Sequence, residues 1–368
     1  MTEYQRITNS VFNHGRWKFN KRTGSDTLSI FTETFNHYMS AGFPADPIRR
    51  VYAKLAAGEA GWILAGETEQ WELLKRGVGF WAKWALAEGC EIYEDGKKID
   101  LRAPYGLGAR RFGEQNGKSV DQIAYVLERL KNAPDSRRIM VVMWDPSNLP
   151  DEDNKTPQEN ILDGKPCLTC CHWAFEFYTD LLYIDERIEH FMRTEMNISG
   201  DVDIDLDKYD TETLRLIRTY NKTGVKANRR TNKMGTNTDR IVEFLNRYGL
   251  PERRLSLKWH QRSCDLAIGV PYNIMFYAYL LELFAWHLNY IPEQLVGDLT
   301  NVHIYENTLE VMDALRKIDL PPVPFGGRLY PTLRFHNRHA NIEDYVWGVD
   351  CTLDGYNYYA DIPLDPIV

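Results

Sequence analysis

The segment that decides the fold is residues 261–273, which have the sequence QRSCDLAIGVPYN. It follows residues 255–259, where apolar and polar residues alternate as in a β-strand. It precedes residues 272–290, whose mostly apolar composition predicts a long buried helix. A turn explains Gly269 and Pro271 but not the cluster of Arg, Ser, Asp and Asn side chains beside them. Such a segment suits the binding of a phosphate together with a planar heterocycle.

Helices and strands are predicted on both sides of this segment. Ser119 and Gln122 have the spacing of a capping box, which predicts the start of a helix that ends before Pro134. Residues 139–144 and 173–178 are short, apolar and β-prone, and predict buried strands.

About 75 residues between two of these strands differ in character. Residues 199–210 are acidic, residues 222–240 are rich in Lys and Arg, and residues 239–248 predict a helix. We interpret residues 179–253 as a surface insertion in a single domain of residues 1–368.

The composition excludes several classes of protein. With 43% hydrophobic and 26% charged residues, the 368-residue chain is not globally disordered. Its net charge of −8 argues against a general polyanion binder. The sequence has no apolar run of about 18 residues and no signal-peptide pattern, so neither a membrane span nor secretion is predicted. Six cysteines in so long a chain indicate a reducing, cytoplasmic setting.

Cys171, followed by His172, is a candidate nucleophile, because a thiolate is strongly nucleophilic and nearby cations lower its pKa. Taken alone, the pair is weak evidence for a nucleophile, because most cysteines in such a position are small core residues. Cys167 and Cys170 form a C-x-x-C. Without a second such pair or a helical His pair, a metal site is not predicted.

Arg137 and Arg138 are adjacent at the boundary between a predicted helix and a predicted strand. Guanidinium groups bind phosphate bidentately, so the pair is a candidate phosphate site. Taken alone, it fits a solvated turn as well.

Six motifs, in chain order, resemble those of the thymidylate synthase family. Three resemble its phosphate loop, paired arginines and nucleophile: Arg22-Thr23-Gly24, Asp135-Ser136-Arg137-Arg138 and Cys171-His172. Three resemble its nucleotide signature and sugar-binding pair: Gln261-Arg262-Ser263-Cys264-Asp265, Gly269-x-Pro271-Tyr272-Asn273 and His303-x-Tyr305. The tail from Gly355-Tyr356 to Asp365-Pro366-Ile367-Val368 resembles the closing C-terminal segment. Six motifs in one order are not an accident of composition.

The resemblance implies an α/β (α+β) fold, in which a large mixed sheet packs with helices and one sheet face forms a homodimer interface. It implies one-carbon transfer to C5 of a pyrimidine deoxynucleotide, with 5,10-methylenetetrahydrofolate as co-substrate and no metal. Cys171, beside His172, would add to C6 of the ring. The phosphate would be held by Arg22, Arg262 and Ser263, and by Arg137 and Arg138 of the partner subunit. His303 and Tyr305 would hold the sugar, and Asn273 the base.

The folate side is implied in the same way. Glu59 matches a glutamate that organises water and proton transfer, and Tyr105 a proton-abstracting tyrosine. Trp81 and Trp84 match aromatic residues that flank the folate. Asp265 matches a pterin-binding aspartate that also belongs to the catalytic set, and Arg49 a basic position near the folate tail. Outside the resemblance, Glu59 fits a solvated helix position and Arg49 an ordinary surface charge.

The amide of Asn273 can both donate and accept, which suits the O4 and N3–H edge of uracil and favours dUMP over dCMP. Several positions depart from the family pattern: Cys170 replaces a proline beside the nucleophile, Glu176 replaces a glutamine, Asn301 replaces an aspartate, and small residues flank Glu59.

These departures favour water over hydride as the final reactant, because the hydride route requires a dry site. The sequence therefore favours a deoxyuridylate hydroxymethylase that makes 5-hydroxymethyl-dUMP, which by resemblance implies a bacteriophage source and the host cytoplasm. Trp81 and the retained tail fit the alternative, a thymidylate synthase that makes dTMP and dihydrofolate. A dCMP hydroxymethylase or methylase, and a non-catalytic nucleic-acid-binding relative using residues 222–240, are further alternatives.

Overall fold

A seven-stranded sheet is the largest element of the protein. Its strands are β1 (Arg16–Asn20), β2 (Ser25–Tyr38), β3 (Met140–Val142), β4 (His172–Leu181), β5 (Arg253–Gln261), β6 (Cys264–Asp265) and β7 (Ile291–Tyr305). The order is β1-β2-β7-β5-β4-β3, with β6 paired to β7. Because β2 runs antiparallel and β6 parallel to β7, the sheet is mixed. The predicted fold class, a mixed sheet packed with helices, is confirmed.

The structure is a computed structural model that describes residues 1–21, 23–81, 100–194, 210–320 and 329–364. Two predicted site residues, Arg22 and Trp84, and the last four residues of the tail lie outside these ranges. The chain divides into two compact units. The first contains residues 1–178, 256–287 and 292–368, and the second contains residues 179–255 and 288–291.

The helices of the first unit precede, connect and follow its strands. They are α1 (Glu3–His14), α2 (Ala53–Leu64), α3 (Gln70–Lys75), α4 (Pro104–Arg111), α5 (Gln122–Asn132), α6 (Pro157–Leu162), α10 (Gly269–Leu288) and α11 (Leu309–Arg316). A separate two-stranded sheet contains β8 (Thr332–Phe335) and β9 (Cys351–Asp354). The predicted long helix after the deciding segment is α10, and all of residues 274–281 in it are buried.

Trp259, near the end of β5, is one of the largest fully buried side chains of the first unit. Its ring stacks on Tyr277 of α10, with centroids 5.1 Å apart and planes at 10°, and also contacts Phe35 of β2. On β7, Gly297 makes room for the indole, since a Cβ added there would lie 2.3 Å from the ring. No real side chain tolerates that distance, so this contact requires glycine.

The predicted capping box of α5 is wrong. The N-cap is Asp121, whose carboxylate accepts from the Ala124 N–H, and the helix begins two residues later than Ser119 would place it. The Gln122 side chain instead donates to the carbonyls of Gly108 and Val142, both at 2.7 Å. A side chain that links α4 to β3 in this way is unavailable for capping.

The second unit has a hydrophobic core of its own. Its helices are α7 (Ile184–Thr194), α8 (Thr211–Thr223) and α9 (Thr238–Arg247). Each helix contributes buried apolar side chains, among them Phe191, Ile217 and Phe244, to one cluster. The two ends of the segment that carries them meet, because the Leu182 N–H donates to the Glu252 carbonyl at 2.9 Å.

No helix in the described part of the chain combines the length and the apolarity that crossing a bilayer requires.

Candidate active site

Cys171 lies immediately before β4 and is half-buried, whereas Cys167, Cys170, Cys264 and Cys351 are buried. Burial raises the pKa of Cys167 and of Cys170 to about 12, so both stay protonated at neutral pH. Among the described cysteines, Cys171 therefore has the exposure that a nucleophile needs.

Tyr105 and His172 lie beside this cysteine. The Cys171 backbone N–H donates to the Tyr105 hydroxyl at 2.9 Å. Tyr105 stands in the first turn of α4, and its ring stacks on His172 with centroids 4.3 Å apart. Burial raises the pKa of Tyr105 well above its usual value and lowers that of His172 to about 3. Both rings are therefore neutral at physiological pH.

Arg262 follows β5 and encloses the turn that precedes the nucleophile. Its backbone N–H donates to the Cys171 carbonyl at 2.9 Å, and its Nε donates to the Cys170 carbonyl at 2.9 Å. Its Nη2 reaches the Thr169 carbonyl at 3.3 Å, and the guanidinium lies 5.5 Å from the centre of the Trp144 ring. A guanidinium has five N–H donors, so these two side-chain contacts leave donors for an anion.

Glu59 and Trp81 form a buried pair near Tyr105. The Trp81 Nε1–H donates to Glu59 Oε1 at 2.7 Å, and the Trp81 ring meets the edge of Tyr105 at 5.9 Å. Burial raises the pKa of Glu59 to about 7, although the bond from Trp81 partly opposes this shift. A carboxyl with that pKa exchanges protons readily near neutral pH. The alternative that Glu59 merely solvates its helix does not hold, because its side chain is buried.

The small residues that flank Glu59 leave no open space. A Cβ added to Gly61 would lie 2.9 Å from Arg76 Nη1, and one added to Gly58 would lie 2.8 Å from a methyl group of Val78. Arg76 and Val78, which follow α3, therefore occupy the space that larger side chains at these two positions of α2 would fill.

The direction of the Asn273 amide follows from a chain of hydrogen bonds. The Trp259 indole can only donate, and it donates to Gln261 Oε1 at 3.2 Å. The Gln261 Nε2 then donates to Asn273 Oδ1 at 3.0 Å. The Asn273 NH₂ group is consequently directed away from Gln261, and Oδ1 keeps a second lone pair. The amide can thus present a donor and an acceptor side by side.

His303 and Asp265 are brought together by the parallel pairing of β6 and β7. A carbonyl only accepts, so Nδ1 of His303 is the donor in its 2.8 Å contact with the Asn301 carbonyl. Asn301 has a φ of 51°, a left-handed conformation that asparagine tolerates. The His303 ring meets Tyr305 edge-on at 5.2 Å. Burial raises the pKa of Asp265, while the charge of His303 opposes this shift.

Arg49 is buried, which excludes the ordinary surface charge. Its Nη2 donates to the Ala267 carbonyl at 2.6 Å, in the loop after Asp265, and its Nε is buried without a hydrogen-bond partner. The tail pairs beside it, since the Ala360 N–H donates to the Ile48 carbonyl at 2.8 Å. Arg49 thus lies between the Asp265 loop and the tail.

The remaining predicted residues are exposed or half-buried. Arg137 and Arg138 are exposed in the turn before β3, and Ser263 is half-buried beside Arg262. The Glu176 carboxylate faces His260 at 3.3 Å. His260 in turn lies 3.3 Å from Asp298 of β7, so the replacement of the family's glutamine belongs to a charged cluster on the sheet.

Two residues of the site were missed, Trp259 and Tyr277. Both lie in segments whose apolar pattern predicts only core. Their chemistry gave one usable signal. A buried indole N–H or phenol O–H needs a hydrogen-bond partner, so a buried Trp or Tyr near the site is expected to orient a polar group there.

Within the described ranges, no group of three or more His, Cys, Asp or Glu side chains could hold a metal ion.

Comparison with known proteins gives one consistent result. The sequence model of a family described as "Thymidylate synthase" matches residues 2–202 and 215–368. The thymidylate synthase of Francisella tularensis subsp. holarctica (strain LVS) is 26% identical over 362 residues, covering 98% of each chain. That of Pseudomonas fluorescens (strain SBW25) is 25% identical over 365 residues, covering 99% of each.

We predict that Glu59→Gln stabilises the protein in a pH-dependent way. The amide keeps the acceptor for Trp81 but does not ionise. Because burial raises the pKa of Glu59 from 4.5 to about 7, the native protein loses stability relative to the variant as pH rises through this window. The difference in unfolding free energy should grow by about 3 kcal/mol between pH 4 and pH 8. Urea unfolding at both values measures it, and a difference independent of pH would contradict the burial effect.

Proposed function

The chain belongs to the thymidylate synthase family, and from this premise we propose that it transfers a one-carbon unit from 5,10-methylenetetrahydrofolate to C5 of dUMP. The observation that carries the proposal is the setting of Cys171, which is the accessible cysteine among the described residues and is held between Tyr105 and Arg262. The resemblance of the motifs and the family match over most of the chain both support it.

In this proposal the Cys171 thiolate adds to C6 of the uracil ring. The S–C6 bond forms, and the electron pair of the C5=C6 bond moves toward C5 and O4. C5 then attacks the one-carbon unit of the folate, and the C5–carbon bond forms as the bond to one folate nitrogen breaks. Loss of the C5 proton, with cleavage of the bond to the second folate nitrogen, leaves an exocyclic methylene and tetrahydrofolate. When hydride or water adds to the methylene, the returning electron pair expels the Cys171 thiolate from C6. Tyr105 is the group proposed to receive the C5 proton, and Glu59 the group that exchanges protons through water. The positive charge of Arg262 favours the thiolate at the start.

We propose that Asn273 reads the base. Uracil offers an acceptor at O4 and a donor at N3–H, which match the Nδ2 donor and the remaining Oδ1 lone pair of Asn273. Cytosine offers a donor and an acceptor in the opposite order, so it would require the amide to turn over. Turning it over would break the bond from Gln261, because Gln261 is itself oriented by Trp259.

In the proposal, the phosphate is bound by residues of two subunits, so phosphate binding requires a dimer. Arg22, Arg262 and Ser263 of one subunit, with Arg137 and Arg138 of its partner, hold the phosphate, while His303 and Tyr305 hold the sugar. The exposure of Arg137 and Arg138 supports their action on a second subunit. The sheet also exposes large apolar side chains, among them Phe31 and Tyr178, which suits a homodimer interface.

For the last step we propose hydride transfer, which gives dTMP and dihydrofolate. Of the four departures in the sequence that favoured water, three have another role in the structure. The space beside Glu59 is filled, Asn301 holds a left-handed turn, and Glu176 faces His260. Trp62, Trp81 and Tyr105 are buried around Glu59, and such an apolar wall suits a reaction that must exclude water.

Hydration to 5-hydroxymethyl-dUMP is the second candidate. Two observations favour it: Cys170 replaces the proline next to the nucleophile, and the pKa of Glu59, about 7, is well matched to the activation of a water molecule. Both routes share one intermediate, and about 1.4 kcal/mol between their barriers changes the product ratio tenfold.

Incubation with dUMP and 5,10-methylenetetrahydrofolate should yield dTMP, with one dihydrofolate formed per nucleotide. Absorbance in the dihydrofolate band and mass analysis of the nucleotide measure the two products together. A main product of 5-hydroxymethyl-dUMP without dihydrofolate would establish the second candidate. A nucleotide left unchanged by any folate would reject the proposed function.

Cys171→Ser should lower turnover at least about a thousandfold while dUMP still binds, because a hydroxyl is a far weaker nucleophile than a thiolate. Cys170→Ser is the matched control. Its thiol is buried and protonated, so turnover per folded molecule should stay within about threefold. Loss of turnover in Cys170→Ser together with an active Cys171→Ser would reverse the assignment of the nucleophile.

Asn273→Asp should shift preference from dUMP toward dCMP. A carboxylate accepts from the cytosine amino group but cannot donate to O4 of uracil, and it can still accept the bond from Gln261. We expect the ratio of the two kcat/KM values to change by at least about a hundredfold. Direct competition between the nucleotides measures this ratio, and an unchanged ratio would remove Asn273 from the base edge.

A further inference from the structure

Four buried rings form a column from the candidate nucleophile into the core. Tyr105 of α4 stacks on His172 of β4, with centroids 4.3 Å apart and planes at 19°. His172 meets Tyr277 of α10 edge-on at 5.4 Å, and Tyr277 stacks on Trp259 of β5 at 5.1 Å. Four elements thus fix the position of the imidazole beside Cys171.

A hydrogen bond of 2.7 Å joins His172 Nδ1 and the Tyr277 hydroxyl. Both groups are neutral, because burial lowers the pKa of His172 to about 3 and raises that of Tyr277 well above its usual value. A neutral imidazole has one N–H and a neutral phenol one O–H. Either Nδ1 or the hydroxyl is therefore the donor, and the choice decides which nitrogen carries the proton.

The surroundings of Tyr277 decide between these two arrangements. Its side chain is fully buried, and within the described residues its hydroxyl has one hydrogen-bond partner, His172 Nδ1. If Nδ1 donated, the hydroxyl proton would be buried without an acceptor, which folded proteins avoid. If the hydroxyl donates, this cost is absent, and the imidazole proton lies on Nε2.

We propose that Tyr277 is a positioning residue that fixes His172 as the neutral Nε2–H tautomer. In that state Nδ1 is occupied, so His172 supplies a hydrogen-bond donor and no base. A fixed neutral donor beside Cys171 stabilises the negative charge that moves toward O4 when the thiolate adds to the ring. The role in catalysis rests on the proposed function, whereas the tautomer assignment does not.

The variant that tests this is Tyr277→Phe in the full-length chain, because it removes the hydroxyl and keeps the ring stacked on Trp259. The matched control is Tyr279→Phe, another buried tyrosine of α10, whose hydroxyl interacts with Cys351. Long-range ¹H–¹⁵N spectra of histidine-labelled, substrate-free protein at pH 7.5 report the tautomer. His172→Asn identifies the signals by their absence.

The native protein and Tyr279→Phe should show the Nε2–H tautomer of His172, and Tyr277→Phe should show a substantial Nδ1–H population. Turnover of dUMP should fall about tenfold in kcat in Tyr277→Phe, with KM for dUMP within about threefold. If Tyr277 were only structural, Tyr277→Phe would change neither the tautomer of His172 nor kcat relative to KM.

An Nδ1–H tautomer in the native protein would overturn the proposal, as would a tautomer unchanged in Tyr277→Phe. Since the spectra need no substrate, failure to turn over dUMP would remove the proposed function and leave this comparison valid. An altered tautomer together with an unchanged kcat would refute the positioning role.

Discussion

The candidate site depends on one indole in the core, that of Trp259. Its N–H can only donate, and its ring lies against Tyr277 and the bare backbone of Gly297. From the N–H, a chain of amides leads through Gln261 to Asn273. From the ring face, a column of aromatic rings leads through Tyr277 to His172. The residues proposed to read the base and those beside the nucleophile are therefore oriented from the same side chain.

The groups around Cys171 are mostly neutral, and Arg262 is a cation next to them. Burial keeps His172, Tyr105 and Tyr277 neutral at physiological pH, and it holds Glu59 close to its midpoint of titration. Arg262 is then a fixed cation against the turn that precedes Cys171. Beside buried, neutral groups, a guanidinium acts more strongly on a thiolate or a phosphate than it would at a fully exposed surface.

Much of the fold and site could be predicted because the relevant signals are local. Alternation along β5 and the apolar run of α10 predicted both elements near their true bounds, and the order of short motifs predicted the family. The predictions failed where a side chain serves a distant element. Gln122 looks like a capping residue, yet it bridges α4 and β3. Tyr277 looks like core, and only the position of His172 in space reveals the use of its hydroxyl.

The departures from the family pattern also have structural roles that depend on residues distant in the sequence or on the backbone conformation. A glycine beside Glu59 suggests a vacancy when read along the chain, but Arg76 fills it from another segment. An asparagine in place of an aspartate suggests altered chemistry, but the φ of Asn301 shows a backbone requirement. A sequence records which residue changed and not which neighbour compensates for the change.

The hydrogen bond between the Leu182 N–H and the Glu252 carbonyl bears on how a long segment can be accommodated between β4 and β5. The segment between them leaves from β4 and returns to β5, which are neighbours in the sheet, and its ends are joined by a backbone hydrogen bond. The entropy of closing such a loop grows only slowly with its length. Since the segment also has its own apolar cluster, additions there meet little thermodynamic resistance. This junction is a place where evolution can exchange whole modules, from a short turn to a small helical unit, while the pairing of the two strands stays the same.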